Sequence, residues 1–323
     1  MNIVLIKSFS NKPWRSPETY QRIEASLAKL WRVQSIETQD PKTLEQFIEK
    51  VIGQTNEKVF VFNIAEYLDE NNKQGFIPGL LDDWKIPHLG STAESILLAM
   101  NKAKTKTLLK NKGIPTPQFF IAETIDSDYY ARAEKIGFPL FVKPLNEGGH
   151  IGIGEHSIVH HAEQLHSEII NIIQNFNDTA LVEEYIDDIE MREFSVGILC
   201  GEPNIYTPVE IDFEAMPTES RILSFESAED DSERIKLIDD MTLKESLIKL
   251  TQDTFNAIGA KDYSRVDIRM NAEGYFVLEI NVMPGLGPRS FLPEAAESIH
   301  GLGYEQLIQR ITEHSMRRQH LIN

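Results

Sequence analysis

The sequence is poor in cysteine and in long apolar runs. Its one cysteine, Cys200, excludes an internal disulfide. No apolar run approaches the roughly 18 residues that a membrane-spanning helix requires. The first residues, MNIVLIKSFS, turn polar too early for a secretory signal. We therefore expect a cytoplasmic protein with no membrane partner.

Positive charge is also scarce. Lysine and arginine number 32 against 50 aspartates and glutamates, which gives a net charge of −18. A nucleic acid or an anionic membrane requires a positive surface, so neither is expected as a partner. A small anionic substrate is still compatible with this charge, because a local cluster of lysine and arginine can outweigh it. The length of 323 residues predicts two or three domains.

The first 90 residues alternate short apolar strands with helical patterns. The predicted elements are, in order, Asn2–Ile6, Ser16–Trp31, Val33–Ile36, Thr43–Ile52, Lys58–Ile64 and Ile86–Leu89. This βαβαβ order predicts a small open α/β domain with a parallel sheet. Asn2–Ile6 is apolar throughout, which is typical of a central strand.

Two loops of this predicted domain should lie beyond the carboxyl ends of its strands, at Lys7–Arg15 and Asn63–Gly75. The first loop contains Lys12, Trp14 and Arg15, an unusual concentration of side chains that bind ligands. Glu66 lies in the second loop. We interpret these residues as candidates for substrate binding, with plain connection as the alternative.

A glycine-rich loop marks the middle of the chain. The strand pattern at Phe138–Pro144 contains Lys143, and the loop NEGGHIGIG follows it. Successive backbone N–H groups in such a loop can bind phosphate. The loop lacks the Gly-Lys-Ser/Thr ending of a Walker A motif. Upstream, Ser91–Lys112 predicts one helix carrying Lys102, Lys104 and Lys106, for which a solvated basic face is the alternative.

The segment Arg265–Gly287 predicts a β-hairpin with a charged face. Arg265 and Asp267 alternate with apolar residues before the turn, and Glu279 and Asn281 do so after it. With a loop at Ala272–Gly274, Asn271 would pair with Tyr275, Arg269 with Val277, Asp267 with Glu279, and Arg265 with Asn281. Two carboxylates placed opposite each other repel unless a cation lies between them. The hairpin therefore predicts a Mg²⁺ site, with a solvated acidic face as the alternative.

These segments, taken in order, resemble the ATP-grasp superfamily, and within it the D-alanine–D-alanine ligase group. The resemblance covers nearly the whole chain and is strongest in KAKTKTLLKNKGIPTP, in FPLFVKPLNEGGHIGIG, and in the hairpin followed by RSFLPEAA. It implies an α/β (α+β) ATP-grasp fold of three domains: an N-terminal Rossmann-like, pre-ATP-grasp domain (1–90), a central ATP-grasp domain with the lid loop (91–187) and a C-terminal ATP-grasp domain with the metal site (188–323).

The resemblance also implies cofactors and residue roles. The cofactors would be ATP and two Mg²⁺ ions, with Mn²⁺ as an alternative. ATP would be bound by Lys102, Lys143, the lid residues Glu147, Gly148, Gly149, His150 and Ile151, the adenine-side residues Glu183, Glu184, Tyr185 and Ile186, and Glu193 at the ribose. The metal ligands would be Asp267, Glu279 and Asn281. Arg265 would stabilise the transferring phosphoryl group, and Ser290 and Phe291 would lie at a substrate carboxylate.

The sequence departs from the family at the expected substrate pocket. The family's first loop has a Gly-Gly turn and a Ser-x-Glu segment, whereas this chain has KSFSNKPWRSPE. NIAEYLDENNKQG replaces a Gly-rich, His-containing loop. Ala228 stands about where the family has a lysine in the long loop Asp212–Asp240, and Arg221, Arg234 or Lys236 could substitute. Arg289 stands where the family has a small residue or histidine.

From these features we expect an ATP-dependent carboxylate–amine ligase that condenses an acid, or an acid-like enol, with an amino acid. The basic, aromatic first loop favours a substrate other than D-alanine, as in relatives of specialised metabolism such as mycosporine-like amino acid biosynthesis. The alternatives are a genuine D-alanine–D-alanine ligase of peptidoglycan synthesis and a nucleotide-binding protein without turnover. The partners would be a small-molecule acid acceptor and an amino acid, and the family suggests a homodimer.

Overall fold

The computed structural model describes residues 1–10, 12–125, 128–216, 221–229 and 233–323. The helices of this part of the chain are α1 (Pro17–Ala28), α2 (Pro41–Gly53), α3 (Ile77–Asp83), α4 (Ala93–Met100), α5 (Lys102–Asn111), α6 (Asp128–Ile136), α7 (Ala162–Asn171), α8 (Phe225–Glu229), α9 (Met241–Ile258), α10 (Phe291–His300) and α11 (Tyr304–Arg318). The strands are β1 (Asn2–Lys7), β2 (Arg32–Glu37), β3 (Val59–Phe62), β4 (Tyr67–Asp69), β5 (Gln74–Phe76), β6 (Phe119–Ala122), β7 (Leu140–Pro144), β8 (Ile158–Val159), β9 (Ala180–Glu184), β10 (Arg192–Leu199), β11 (Ile205–Ile211), β12 (Ile235–Leu237), β13 (Tyr263–Asn271) and β14 (Gly274–Asn281). No helix of the described residues is both long enough and apolar enough to cross a bilayer.

Three main sheets follow one another along the chain. The first is parallel, in the order β2-β1-β3, and β1 is its buried central strand, as predicted. The second has the order β6-β9-β7-β8, and its strands pair antiparallel. The third, also antiparallel, has the order β12-β11-β10-β13-β14 and contains the predicted hairpin. A small hairpin of β4 and β5 lies in the second candidate loop of the N-terminal sheet.

The C-terminal helix α11 packs on the N-terminal sheet. Leu307 and Ile311 of α11 share one buried cluster with Ile3 and Leu5 of β1 and with Tyr20 of α1. All five side chains are fully buried, so most of their apolar surface is removed from water. The two ends of the chain are therefore joined by a common core.

The segment predicted as one helix, Ser91–Lys112, forms two helices, so that prediction was wrong. The chain breaks at Asn101, whose extended backbone (φ −93°, ψ 96°) starts α5 and whose side chain accepts a hydrogen bond from the Lys104 N–H. Asparagine competes well for this N-cap position. The break places Lys102 in the first turn of α5.

The helices α4 and α5 belong to the core of the third sheet. Ile96 and Leu109 lie in one buried cluster with Val266 and Ile280 of the C-terminal hairpin. The central sheet has a separate core of its own. The division at residues 90 and 187 is still a prediction, but residues 93–111 pack with the C-terminal sheet.

The long loop predicted at Asp212–Asp240 is partly regular. It contains α8 and the edge strand β12, which pairs with β11 through Lys236 opposite Glu210. Weak periodicity and strong acidity concealed both elements in the sequence. Residues 217–220 and 230–232 of this loop lie outside the described residues.

We predict that Leu307→Ala destabilises the protein by about 2–5 kcal/mol, because truncation leaves a cavity where α11 meets the N-terminal sheet. Urea unfolding of the whole chain measures this loss. The matched control is Leu30→Ala, since Leu30 is 52% exposed, and its free energy of unfolding should change by no more than about 0.5 kcal/mol. Equal effects of the two changes would contradict the shared core.

Candidate active site

A cavity that opens to solvent lies between the central and C-terminal sheets, with about 580 Å³ of empty space including its open mouth. Nine residues proposed from the sequence line it: Lys143, His150, Glu183, Glu184, Tyr185, Ile186, Glu193, Asp267 and Glu279. Six further lining residues were missed: Phe141, Ile153, Ile222, Leu223, Arg269 and Leu278. Most of those missed are apolar, and a sequence gives no local signal that such a side chain faces a cavity.

The hairpin has the predicted register at its metal end. Asp267 lies opposite Glu279, and Arg265 lies opposite Asn281. Cross-strand partners have Cβ atoms about 5 Å apart, so these four side chains occupy one small volume. This convergence confirms the pairing that the alternation of the sequence predicted.

The register at the turn end differs from the prediction. Asn271 pairs with Gly274, so the loop contains only Ala272 and Glu273, and a bulge follows between Asp267 and Ile268. The predicted pairs Asn271–Tyr275 and Arg269–Val277 were therefore wrong. The shorter loop shifts the register, and the extra residue of the bulge restores it before Asp267.

Asp267 is the centre of a hydrogen-bonded cluster. Arg265 donates to its carboxylate from Nε (2.9 Å) and Nη2 (2.7 Å), and the Ser195 hydroxyl donates at 2.9 Å. Asn281 Nδ2 lies 3.2 Å from Asp267 Oδ2 and 3.4 Å from Glu279 Oε1. The amide nitrogen thus bridges the two acids.

Glu279 is ionised because cations surround it. Burial alone raises its pKa, but Lys102, Lys143, His150 and Arg265 outweigh burial and lower the pKa to about 2. The carboxylate is therefore charged at any pH where the protein would be assayed. A charged, buried carboxylate beside a second one is a suitable ligand for a divalent cation.

These residues fit a divalent cation. Two carboxylates and an amide oxygen are ligands of the type that Mg²⁺ prefers. Among the described residues, no group of three or more His, Cys, Asp and Glu side chains has metal-binding geometry, so Asn281 is needed to complete the set. Arg265 contacts Asp267 through two hydrogen bonds, and a cation there would compete for the same oxygens. The metal role of Asp267, Glu279 and Asn281 is still a prediction.

Glu183 joins two lysines at the inner wall. Its carboxylate lies 2.7 Å from Lys143 Nζ and 2.9 Å from Lys106 Nζ, and Lys106 also donates to the Thr116 hydroxyl at 3.0 Å. Burial raises the pKa of Glu183, but the two ammonium groups outweigh it and lower the pKa. The alternative of a solvated face was wrong for Lys106, which is 1% exposed. Its partners come from elsewhere in the chain, so no local pattern indicates its burial.

Glu193 is paired with Arg269, which sequence reasoning missed. Arg269 Nε donates to the carboxylate at 2.6 Å, and Nη1 donates to the Ile186 carbonyl at 3.3 Å. The ring of Tyr185 lies 5.1 Å from the Arg269 guanidinium. Arg269 thus connects the segment expected at adenine with the residue expected at the ribose. Its position on the charged face of the hairpin, two residues after Asp267, was the available signal.

The apolar wall suits a flat ring. Phe141 and Tyr185 stack with centroids 5.9 Å apart and ring planes at 15°. Ile222, Leu223 and Leu278 add aliphatic surface to the same cavity. Aromatic and aliphatic surface of this kind binds planar heterocycles by burial and stacking. The adenine-side assignment of residues 183–186 is compatible with this wall and stays a prediction.

The glycine-rich lid makes contacts on three sides. Lys102 Nζ donates to the Glu147 carbonyl, and the Glu147 carboxylate pairs with Lys73 of the β4–β5 hairpin at 2.8 Å. The Phe225 N–H donates to the Ile153 carbonyl at 3.1 Å. His150, within the lid, lies 3.6 Å from the carboxylate of Glu233. Lid, N-terminal loops and long loop therefore close over the same cavity.

Burial lowers the pKa of His150, whereas the nearby carboxylate of Glu279 raises it. Gly149 and His150 both adopt positive φ (64° and 59°), a conformation that glycine accepts far more readily than histidine. The phosphate-binding role of Gly148, Gly149 and Ile151 is still a prediction.

In the first N-terminal loop, Arg15 is buried and forms ion pairs. Arg15 is 3% exposed, and its guanidinium pairs with the carboxylates of Glu66 and Glu70. The expectation that Arg15 and Glu66 contact an acceptor has no support here, because each has the other as its partner. A buried ion pair with two acids orders the loop instead.

Trp14 lies against the loop that follows the hairpin and contains Gly285, Gly287 and Ser290. We call it the substrate loop, because Ser290 is expected at a substrate carboxylate. A methyl group built on Gly285 would lie 2.9 Å from Trp14 Cγ and 2.9 Å from the Ser290 hydroxyl, and one on Gly287 would lie 2.9 Å from the Trp14 Cα. Only glycine lets the tryptophan approach this closely. Phe291 is buried, with its ring 5.5 Å from the Arg265 guanidinium. Of the substrate candidates, Phe291 thus lies near Arg265, and Trp14 and Ser290 lie near each other at Gly285.

The residues that could replace the family's lysine in the long loop have other partners. Arg221 donates to the carbonyls of Asp188 and Met191, and Lys236 pairs with Glu210 at 3.3 Å. Arg234 donates to the Glu233 carbonyl at 2.8 Å. Arg289 is exposed and has a contact of its own. The side chain of Ala228 lies outside the described residues.

Comparison with known proteins identifies relatives of this arrangement. The family model described as "D-ala D-ala ligase C-terminus" matches residues 108–313. An uncharacterised Sinorhizobium fredii protein, y4sG, is 32% identical over 263 residues, 80% of this chain and 75% of its own. The D-alanine–D-alanine ligase of Stutzerimonas stutzeri is 32% identical over 251 residues, 76% and 74% of the two chains. The Bacillus anthracis D-alanine–D-alanine ligase structure complexed with ATP superimposes with a TM-score of 0.76 at 23% identity, covering 99% of both chains. This likeness confirms the ATP-grasp fold.

We predict that Glu279→Gln lowers Mg²⁺-dependent phosphate release from ATP by about 100-fold or more, because a neutral amide weakens the hold on the divalent cation. Titration of Mg²⁺ and Mn²⁺ against phosphate release measures the change. The control is Glu273→Gln, at the exposed turn of the same hairpin, which should leave the titration unchanged. An unaltered metal requirement in Glu279→Gln would contradict the assignment.

Proposed function

Because this chain belongs to the D-alanine–D-alanine ligase family and is therefore an ATP-dependent carboxylate–amine ligase, we propose that it joins two amino acids, with D-alanine as the first substrate to test at both positions. The observation that carries the proposal is the cluster of Arg265, Asp267, Glu279 and Asn281 at the cavity that Lys143 lines. A protein that bound nucleotide without turnover would have no need to keep both the acids and the arginine together.

The bound Mg²⁺ and ATP would supply the phosphoryl group that activates the substrate carboxylate. Asp267, Glu279 and Asn281 would hold the divalent cation, and the number of ions is part of the proposal. Lys143 is positively charged, because the carboxylates of Glu183 and Glu279 outweigh burial and raise its pKa. Lys102 brings a second ammonium group to the lid. These cations would neutralise charge during phosphoryl transfer, which depends on positioning and electrostatics.

Arg265 is the proposed catalytic residue. Burial alone lowers its pKa, but Asp267 and Glu279 outweigh burial and raise it, so the guanidinium is always charged. Competition from a cation for Asp267 would free its N–H groups for an anionic oxygen. A fixed guanidinium would stabilise the oxyanion formed when the amine attacks the activated carboxylate. Closure of the lid over the cavity would exclude water from that carboxylate.

Two observations bear on the choice of substrate. The sequence favoured a large anionic acceptor, partly because of Arg15, but Glu66 and Glu70 already balance the charge of Arg15. Relatives with a named activity include the D-alanine–D-alanine ligases of Stutzerimonas stutzeri and Pseudomonas putida. Both points support the alternative raised from the sequence over its leading interpretation.

A second candidate is a ligase for a different acid or amino acid, as in specialised metabolism. Trp14 favours it, since the indole lies beside Gly285 and Ser290, where the family binds a substrate carboxylate. A wall of this size would reshape the pocket around a non-alanine substrate. The expected homodimer is likewise a proposal, based on the family alone.

We predict that D-alanine with ATP and Mg²⁺ supports phosphate release and yields D-alanyl-D-alanine, detected by mass spectrometry. L-alanine, glycine and larger D-amino acids are tested in parallel, singly and in pairs with candidate acids. The control enzyme is Arg265→Lys, which keeps a positive charge but loses the bidentate geometry and should form little product. Product from another pair and none from D-alanine would establish the second candidate. ATP binding without release from any pair would refute ligase turnover.

A further inference from the structure

Lys12 is a half-buried cation without a close ion-pair partner among the described residues. Within the part of the chain that the structure describes, no acidic oxygen lies within 4.0 Å of its Nζ. Its neighbours Lys73 and Arg15 have close acidic partners in Glu147 and in Glu66 with Glu70. An unpaired, partly desolvated ammonium group is costly. Such a group is stable where an anionic ligand completes its surroundings.

The position of Lys12 is defined by the lid and by Trp14. A methyl group built on Gly149 would lie 3.7 Å from Lys12 Nζ and 4.0 Å from Trp14 Cη2. The ammonium group lies 5.6 Å from the centre of the indole ring, within range of a cation–π interaction. At its other end, the Trp14 side chain contacts Gly285 beside Ser290. The indole therefore spans from the lid to the substrate loop, with Lys12 at the lid end.

The lid end of the indole lies near the cluster of Arg265, Asp267 and Glu279. His150, the residue after Gly149, lies within the electrostatic field of Glu279, Arg265 and Asp267. In the long loop, Arg221 and Lys236 both bind other partners, the Asp188 carbonyl and the Glu210 carboxylate. Lys12 thus reaches the lid from the first N-terminal loop, whereas Lys102 reaches it from α5.

We infer that Lys12 binds the terminal phosphoryl group beneath the closed lid, in the ground state and during its transfer to the substrate carboxylate. The ammonium group would donate to a phosphoryl oxygen while the bond from phosphorus to the bridging oxygen of ADP breaks and the bond to the carboxylate oxygen forms. No proton moves to or from Lys12 in this step. The inference rests on the proposed function only in that ATP is the phosphoryl donor.

The pKa of Lys12 agrees with a role in binding an anion. Burial and the neighbouring Arg15 lower its pKa, whereas Glu70 and Glu147 raise it and Lys73 lowers it further. The net decrease means that the free site would lose this charge at a lower pH than an exposed lysine would. A bound phosphoryl group would restore the charge by pairing with it.

The test compares the binding of ATP and ADP, each with Mg²⁺ and without amino acid, by isothermal titration calorimetry. Lys12→Met should weaken ATP binding about tenfold or more and leave ADP binding unchanged, since a charge-assisted hydrogen bond to the terminal phosphate is absent from the ADP complex. Lys12→Arg should retain most of the difference. Lys58→Met is the control, since Lys58 donates to the His320 carbonyl away from the lid, and it should bind both nucleotides normally. Thermal unfolding confirms that each variant is folded.

Three outcomes would overturn the inference. Equal loss of ATP and ADP binding would make Lys12 a structural support of the lid. Unchanged binding of both nucleotides, with a raised KM for an amino acid, would place Lys12 at a substrate carboxylate. Unchanged binding and turnover would remove Lys12 from the site. Failure of every amino acid to support phosphate release would refute the proposed function alone, because the nucleotide comparison needs no amino acid.

Discussion

The site depends on charges of opposite sign held together out of water. Glu279 and Asp267 lie side by side in a largely buried position, where each alone would be costly. Lys102, Lys143 and Arg265 offset that cost and keep the pKa of Glu279 near 2. A divalent cation together with an anionic nucleotide adds both signs at once, so binding changes the net charge of the cavity little.

The N-terminal loops act on this cluster through the lid. Lys73 pairs with Glu147, and the tip of the lid contacts Lys12 and Trp14. Arg15, fixed by Glu66 and Glu70, orders the loop that presents Trp14. The same loops therefore connect the expected substrate residues to the lid. If both assignments hold, selection of a substrate and closure over ATP would depend on the same few contacts.

The sequence predicted those parts of the protein in which neighbouring residues alone carry the pattern of the structure. The parallel sheet, the lysine-plus-glycine loop and the pairing of Asp267 with Glu279 follow from alternation and turn residues. The turn register was wrong, because a bulge leaves no periodic trace in so short a strand. The role of Arg269 depends on the pairing of β13 with β10. The burial of Lys106 and the pairing of Arg15 depend on contacts distant in sequence, which no local pattern contains.

The core that α11 shares with the N-terminal sheet has a mechanical consequence. The first and last segments of the chain form one body with the C-terminal sheet, through Leu307, Ile311 and their neighbours. The central sheet, with a core of its own, is thus an insertion that leaves that body after α5 and rejoins it at β10. We expect nucleotide exchange to involve movement of this insertion relative to that body. The expected metal ligands and Lys12 belong to the body, whereas Lys143 and the lid belong to the insertion.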